Sequence, residues 1–288
     1  MIDRLLICTD LDRTLIPNGP QSESRNARKY FTTLVNCPEV TLTYVSGRHR
    51  ALIEEAISHY NLPQPDFVVG DVGTSIYHVG TENDWQRQTT WEKEIACDWG
   101  NKSHADIKKL LLGIPELSLQ EQAKQNRYKL SYYIPLQSEQ DTLSALIRER
   151  LSRENVRASL IWSVDEPNAT GLLDILPGRA TKFHAVESLM KEHTFDLGNT
   201  VFCGDSGNDI EVMASAIPAV LVANSQADVK LLARQLADSN GCAEQLYIAQ
   251  GNFMGMNGNY AAGMLEGIAH YYPETVDWMG FADQRSAR

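Results

Sequence analysis

Short apolar runs alternate with amphipathic segments along much of the chain. A continuous apolar run such as 5–9 is typical of a strand buried on both faces of a parallel sheet. Strands that alternate with helices predict a doubly wound α/β fold, with a Rossmann-like parallel sheet as its core. The pattern predicts strands over 5–9, 40–45, 67–69, 74–79, 200–203 and 219–222, and helices over 24–35, 49–60, 181–191, 210–215 and 226–237.

The middle of the chain has a different pattern, and it is richer in Gln, Glu and Lys. Residues 83–168 predict a small inserted α+β cap domain, while 1–82 and 169–288 form the core. The run over 172–177 is expected to lead back into the core. Within the insert the pattern predicts helical structure over 92–113 and 138–154, and strands over 128–134 and 158–164.

Charge and composition exclude several classes of protein. Lys and Arg number 26 against 37 Asp and Glu, a net charge of −11 that opposes non-specific binding to nucleic acid. The apolar run over 216–223 is far shorter than the roughly 20 residues that span a membrane. The five cysteines are dispersed, so we expect free thiols. With no signal-like pattern at the start, we expect a cytoplasmic protein.

Two acidic residues, Asp10 and Asp12, follow the first predicted strand. Ligand groups collect at the carboxyl ends of parallel strands, and there both side chains can turn toward one pocket. One carboxylate could attack phosphorus as a nucleophile. The other could act as general acid to the leaving oxygen and then as base to water. A solvated acidic turn is the alternative that Asp-x-Asp-x-Thr alone leaves open.

A second acidic pair, Asp205 and Asp209, follows the predicted strand over 200–203. Four carboxylates at two neighbouring strand ends cannot all be ionised together without a cation. Oxygen ligands with water left in the shell suit Mg²⁺ rather than zinc. The pattern therefore predicts a magnesium site, with a helix cap by Asp205 as the structural alternative.

Groups suited to phosphate oxygens occur at two predicted helix starts. Ser46, Gly47 and Arg48 offer a hydroxyl, a flexible amide and a cation, although Ser46 could also be a helix cap. Lys182 lies near a helix N-terminus, where its charge opposes the helix dipole. An inward reach to a phosphoryl group would explain that position, and a solvated lysine is the alternative.

The order of these motifs resembles the haloacid dehalogenase superfamily of phosphohydrolases, and the insert resembles its type 2 cap. Within the superfamily the chain is most similar to sucrose-phosphate phosphatases. It departs from them at Arg13, where relatives often have Gly or Asn, and at Phe183, where Gly usually follows the lysine. The similarity to that subfamily is carried by 71–77, 129–132, 173–177, 222–226 and 263–268.

The resemblance implies roles for these residues. Asp10 is then the nucleophile, Asp12 the general acid and base, and Lys182 a catalytic cation. Mg²⁺ is held by the Asp10 carboxylate, the Asp12 backbone carbonyl and Asp205, while Asp209 supports the metal shell or Lys182. The phosphate-binding residues are Ser46, Gly47, Arg48, Lys182 and Asn208.

The cap must select the substrate, because the core motifs contact only a phosphate. Lys129 and Ser131 share one face of a predicted strand and suit a polyhydroxylated ligand, while Tyr132 points into the cap's own core. An exposed polar strand face is the alternative. The resemblance implies hydrolysis of sucrose 6-phosphate, with another disaccharide or a monosaccharide phosphate left open.

The acid at Asp12 favours hydrolysis or mutase chemistry. A phosphohexomutase is therefore the nearest enzymatic rival. A sugar-phosphate sensor, or a module that docks on the synthase that makes the substrate, is a rival of another class.

Overall fold

The computed structural model describes residues 2–80, 84–165 and 168–281. The strands are β1 (Leu5–Thr9), β2 (Val40–Val45), β3 (Phe67–Gly70), β4 (Ser75–Val79), β5 (Trp85–Arg87), β6 (Ser118–Leu119), β7 (Leu130–Ile134), β8 (Ala158–Asp165), β9 (Thr170–Pro177), β10 (Thr200–Gly204), β11 (Ala219–Leu221) and β12 (Leu246–Ile248). The helices are α1 (Ala27–Val35), α2 (Arg50–Tyr60), α3 (Thr89–Ala96), α4 (His104–Leu110), α5 (Gln140–Ser152), α6 (Lys182–Glu192), α7 (Ile210–Met213), α8 (Ala227–Ser239), α9 (Ala261–Tyr271) and α10 (Thr275–Trp278). Among the described residues, none of these helices is long and apolar enough to cross a membrane.

The larger sheet has the order β12-β11-β10-β1-β2-β3-β4-β5. Its strands from β12 to β3 are parallel, and β4 and β5 extend it antiparallel at one edge. Strand order reverses at β1, with β2 on one side and β10 on the other. This is the doubly wound topology that the sequence predicts.

Both faces of the larger sheet are covered by helices, and every residue of β1 is buried. Leu5 and Ile7 belong to the apolar core that contains residues of α1, α2 and α9. Leu6 and Cys8 point the other way, into the core that contains residues of α6 and α7. Alternate side chains of a strand reach opposite faces, so a strand buried on both faces needs a continuous apolar run.

The smaller sheet is antiparallel, with the order β6-β7-β9-β8, and α3, α4 and α5 lie in the same part of the chain. The segment over 172–177 pairs along β7 and β8 in the smaller sheet, and α6 is the next helix after it, so the expectation that it leads back into the core stays a prediction. In contrast, β5 lies within the predicted insert but pairs with β4 of the larger sheet.

The predicted domain boundaries at 83 and 168 stay a prediction, and residue 83 lies outside the described residues. We propose instead that sheet membership defines the cap, which then runs from 88 to 177.

The strand order brings the predicted site residues to one edge. Asp10, Ser46 and Asp205 directly follow β1, β2 and β10, which are neighbours in the parallel part of the sheet. Because parallel strands end at the same edge, these side chains meet at the point where strand order reverses.

Candidate active site

Three buried carboxylates form the centre of the site. Oxygen atoms of Asp10, Asp205 and Asp209 all lie within 4.8 Å of one another. Asp10 and Asp205 follow adjacent strands, and Asp209 is the last residue of a one-turn helix over Gly207–Asp209. Buried like charges at this spacing need a compensating cation.

Lys182 supplies one such cation. It is the first residue of α6, which is capped by the Thr181 side chain, and its own side chain is buried. Its Nζ donates to Oδ1 of Asp10 at 2.8 Å and to Oδ1 of Asp209 at 2.7 Å. Burial lowers the pKa of Lys182, but the two carboxylates outweigh burial and raise that pKa well above its usual value. The two ion pairs therefore explain a lysine at a helix N-terminus.

Asp209 fixes the loop that carries Asp205. Its Oδ2 accepts from the backbone N–H groups of Asp205 and Ser206, each at 3.1 Å. A Cβ at Gly204 would lie 2.6 Å from Cγ of Asp209, so only glycine allows this approach. Since its other oxygen binds Lys182, Asp209 is already bonded at both oxygens. This geometry favours the supporting role over direct binding of a metal.

Asp10 and Asp205 are the carboxylates of the cluster that are best placed to bind a metal ion. Burial raises the pKa of Asp10 to about 7; Lys182 opposes this shift, while Asp209 and Asp205 add to it. Burial likewise raises the pKa of Asp205 to about 6, and Asp209 adds to that shift. Crowded carboxylate oxygens of this kind are the donor set that Mg²⁺ prefers, so the residues present fit the ion.

Arg48 contacts Asp12. Its Nε donates to Oδ2 of Asp12 at 2.7 Å and its NH2 group to Oδ1 at 2.6 Å. Asn18 donates a further hydrogen bond to Oδ1 at 2.7 Å. Burial alone would raise the pKa of Asp12, but these hydrogen bonds and the Arg48 charge outweigh it and lower that pKa. Arg48 is predicted from the sequence to bind phosphate, but in the structure its guanidinium group is hydrogen-bonded to Asp12.

Two cavities meet at this edge of the sheet. One, of about 460 Å³, is lined by Asp10, Asp12, Arg48 and Asp205, and Gly47 and Asn208 line both. The other, of about 680 Å³, extends from Lys182 to the smaller sheet. Ser46 is buried at the same edge, and its Oγ accepts from the Arg48 N–H at 3.2 Å.

The predicted sugar-binding residues Lys129 and Ser131 both contact Asp174. Nζ of Lys129 lies 3.7 Å from Oδ2 of Asp174 and 3.9 Å from Oδ1 of Asp71 in the core. The buried hydroxyl of Ser131 donates to Oδ1 of Asp174. Asp174 lines the larger cavity, whereas Lys129 and Ser131 are not among its lining residues. Lys129 and Ser131 therefore act on the cavity only through their contacts with Asp174.

Sequence reasoning missed some residues of these cavities. Asp174 and the β8 residues Ser159, Trp162 and Ser163 line the larger cavity. For the three β8 residues, the pattern over 158–164 predicts a strand, but it does not predict which face of that strand is open. Arg13, noted only as a departure from relatives, has its Nε 3.4 Å from Oδ2 of Asp205.

The backbone conformation at position 13 explains why Gly or Asn is expected there. Arg13 adopts a positive φ of 59°, which Gly and Asn reach more easily than other residues. The preference for Gly or Asn that the resemblance implies at this position matches that backbone requirement.

Comparison with known proteins identifies the family. A family model for sucrose-6F-phosphate phosphohydrolases matches residues 3–272. A Nitrosococcus oceani protein named for its likeness to HAD hydrolases is 51% identical over 288 residues, covering 100% of this chain and 77% of that protein.

Two further relatives are named for a phosphatase activity. Sucrose-phosphatase 1 of Nicotiana tabacum is 27% identical over 93% of this chain, which spans only 59% of that protein. Mannosylfructose-phosphate phosphatase of Agrobacterium fabrum is 26% identical over 92% of this chain and 96% of its own length.

A solved structure is also similar. The X-ray structure of a Synechocystis sucrose-phosphatase in complex with sucrose and phosphate has a TM-score of 0.72 and 26% identity, covering 93% of this chain and 98% of that one. Because the family model spans most of the chain, the protein belongs to the sucrose-6F-phosphate phosphohydrolase family and is a phosphoric monoester hydrolase of the haloacid dehalogenase superfamily.

Proposed function

We propose that this protein is a Mg²⁺-dependent phosphatase that hydrolyses a disaccharide phosphate, with sucrose 6-phosphate as the first candidate. One observation carries the proposal: Asp10 and Asp205 line one cavity, Lys182 lines a second cavity that extends to the smaller sheet, and Gly47 and Asn208 line both. A phosphoryl group fits at the cluster, and a sugar fits between the cluster and β8.

Asp10 is the proposed nucleophile. An oxygen of its carboxylate forms a bond to phosphorus while the ester P–O bond breaks, which leaves an aspartyl-phosphate and a sugar alkoxide. Asp12 gives a proton to that alkoxide, then removes one from the water that cleaves the aspartyl-phosphate. Asp12 therefore returns to its starting charge at the end of the cycle.

Charge neutralisation is the main task of the other residues, since phosphoryl transfer depends largely on positioning and electrostatics. Lys182 lies against Asp10 and is placed to bind a phosphoryl oxygen, together with Ser46, the Gly47 amide and Asn208. Asp10, the Asp12 carbonyl and Asp205 would hold Mg²⁺, which when bound neutralises phosphoryl charge. Arg48 acts on Asp12 in this proposal rather than on phosphate.

The larger cavity supports a sugar as the leaving group. Ser159, Ser163 and Asp174 line it and can offer hydroxyl and carboxylate groups to a sugar, while Ile161, which pairs with Asp174, offers an apolar side chain. Lys129 and Ser131 would act by orienting Asp174. The Synechocystis structure was solved with sucrose and phosphate, and its similarity supports this assignment.

One assay tests the proposal. Inorganic phosphate release is measured with sucrose 6-phosphate, mannosylfructose phosphate and several monosaccharide phosphates, in Mg²⁺ and in EDTA. We expect the fastest release from a disaccharide phosphate and none in EDTA. A preference for mannosylfructose phosphate would follow the Agrobacterium relative. Good activity on monosaccharide phosphates alone would overturn the disaccharide assignment.

Variants test the residue roles. Asp10→Asn should lose nearly all turnover while the protein stays folded, because the amide is a poor nucleophile. Asp12→Asn should lose about 10²–10⁴-fold, the usual contribution of a general acid and base. Wild-type rates in Asp10→Asn would contradict the aspartyl-phosphate.

A further inference from the structure

Asn224 joins two backbone segments that are far apart in sequence. It lies just beyond β11, and its side chain is buried. Its Nδ2 donates to the Arg13 carbonyl at 2.6 Å, and its Oδ1 accepts from the Tyr260 N–H at 2.7 Å. Because a carbonyl only accepts and an N–H only donates, a single orientation of the amide makes both bonds. Neither Asp nor Ala can replace it in both.

Both segments that Asn224 joins have unusual backbone conformations. Arg13 has a φ of 59° and Tyr260 a φ of 52°, a region that residues other than glycine rarely adopt. Such conformations persist only where the surroundings enforce them. The two hydrogen bonds of Asn224 are part of that enforcement.

Tyr260 extends the same support further along the chain. Its side chain is fully buried, and its hydroxyl donates to the Gln21 carbonyl at 3.1 Å. The loop that follows β1 is therefore held at Arg13 by Asn224 and at Gln21 by Tyr260. Both supports come from the segment between β11 and α9, which contributes no predicted catalytic residue.

The turn at Arg13 connects directly to Asp12. The Arg13 N–H donates to Oδ1 of Asn18 at 2.8 Å, and Nδ2 of Asn18 donates to Oδ1 of Asp12 at 2.7 Å. A movement of the turn would shift Asn18 and, with it, one of the partners that fix the Asp12 carboxylate.

We propose that Asn224 is a positioning residue, which sets the orientation of Asp12 through the turn at Arg13 and the Asn18 side chain. The inference rests on the proposed role of Asp12 as general acid and base. Asn224 itself touches no reacting atom in this arrangement, since its partners are backbone groups.

Leaving-group dependence distinguishes this role from general support of the fold. An alkoxide needs a proton from Asp12 as it leaves, whereas p-nitrophenolate leaves with little help. In Asn224→Ala we expect kcat for sucrose 6-phosphate, or for the best sugar phosphate of the panel, to fall about 10- to 100-fold, as for a misplaced catalytic group. Single-turnover phosphoryl transfer from p-nitrophenyl phosphate should fall much less.

Two further variants test this interpretation. Asn224→Asp keeps the acceptor for Tyr260 and loses the donor to Arg13, so it should reproduce the leaving-group effect. Asn257→Ala removes a 2.9 Å hydrogen bond to the Ser22 carbonyl in the same loop and should leave the ratio of the two rates unchanged. An equal loss on both esters in Asn224→Asp would overturn the proposal.

A double-mutant cycle with Asp12→Asn completes the test. If Asn224 acts through Asp12, Asn224→Ala should cost little once Asp12 is already Asn. The same fold-loss in both backgrounds would show that Asn224 acts independently, and the proposal would be wrong. Wild-type turnover in Asp12→Asn would instead remove the proposed role of Asp12, and the inference with it.

Discussion

The guanidinium group of Arg48 binds both carboxylate oxygens of Asp12, at 2.6 and 2.7 Å. Two parallel hydrogen bonds of this type fix direction as well as distance. Both residues are partly exposed, so the pair acts mainly by orienting Asp12 rather than by stabilising the fold. In this geometry Arg48 favours the ionised form of Asp12, which in the proposed cycle is the base toward water, over the protonated form that gives a proton to the alkoxide.

Replacing Arg48 should therefore change the pH dependence of the reaction. A neighbouring arginine lowers a carboxyl pKa, so Arg48→Ala should raise the pKa of Asp12. Because Asp12 must be ionised to act as base on water and protonated to act as acid to the alkoxide, both limbs of the kcat profile should move to higher pH. Profiles at saturating Mg²⁺ measure this shift, with Arg48→Lys expected to lie between. A higher KM with an unmoved profile would assign Arg48 to phosphate instead.

Metal binding should stabilise the protein in a pH-dependent way. The pKa values of Asp10 and Asp205 are raised to about 7 and about 6, so the folded state holds protons that the unfolded state releases near pH 4. In EDTA this contribution to stability is present at low pH and is lost as pH rises toward 7. Mg²⁺ competes with those protons, so its stabilising effect should grow over the same range.

Thermal unfolding with and without Mg²⁺ measures this effect. The increase in Tm should be small at pH 5 and larger at pH 7.5, and Asp205→Asn should reduce it. Asp238→Asn, which alters an exposed carboxylate outside the cluster, should leave the increase as in the wild type. A Mg²⁺ effect of equal size at both pH values would contradict a site built from Asp10 and Asp205.

The close approach of Gly204 to Asp209 makes a sharp packing test. A Cβ at position 204 would lie 2.6 Å from Cγ of Asp209, whereas one at Gly207 in the same motif meets nothing within 4 Å. Overpacking of this kind costs about 1–3 kcal/mol, so Gly204→Ala should lower Tm by several degrees. It should also reduce turnover, since Asp209 holds Lys182. Gly207→Ala should keep the wild-type Tm; equal Tm values for both variants would contradict the packing argument.

The strand ends made the centre of the site predictable. Asp10 and Asp205 could be placed together because each ends a buried strand, and parallel strands end at one edge. Lys182 could be placed beside these two carboxylates because a lysine at a helix N-terminus is unfavourable unless a negative group faces it. These inferences depend only on local pattern and on rules of topology.

Contacts that depend on side-chain reach were not predictable. The sequence does not reveal that Arg48 turns to Asp12, or that Asn224 bonds to a carbonyl 211 positions away. The pairing of 172–177 with β7 and β8 was not predictable for a related reason, because the pattern of one strand does not say which strands lie beside it. Long-range pairing is not encoded in the period of a single strand.

Lys129 offers the final test, because it links the smaller sheet to the core next to the larger cavity. Its Nζ lies between Asp174 of the smaller sheet and Asp71 of the core, and its side chain is only 11% exposed. Without this cation the two carboxylates lose their shared partner, and Asp174 should no longer be held toward the cavity. Lys129→Ala should therefore raise KM for the disaccharide phosphate far more than for p-nitrophenyl phosphate, which has no sugar to contact.

Steady-state kinetics on both esters measures this difference, with Lys124→Ala as the control because that neighbouring lysine is exposed. Lys129→Arg should recover part of the loss, since it keeps the charge between Asp71 and Asp174. Equal changes in KM for both esters would mean that Lys129 serves only to hold the cap on the core. A selective change would instead place the choice of sugar at Asp174, because Lys129 does not line the cavity and reaches it only through that carboxylate.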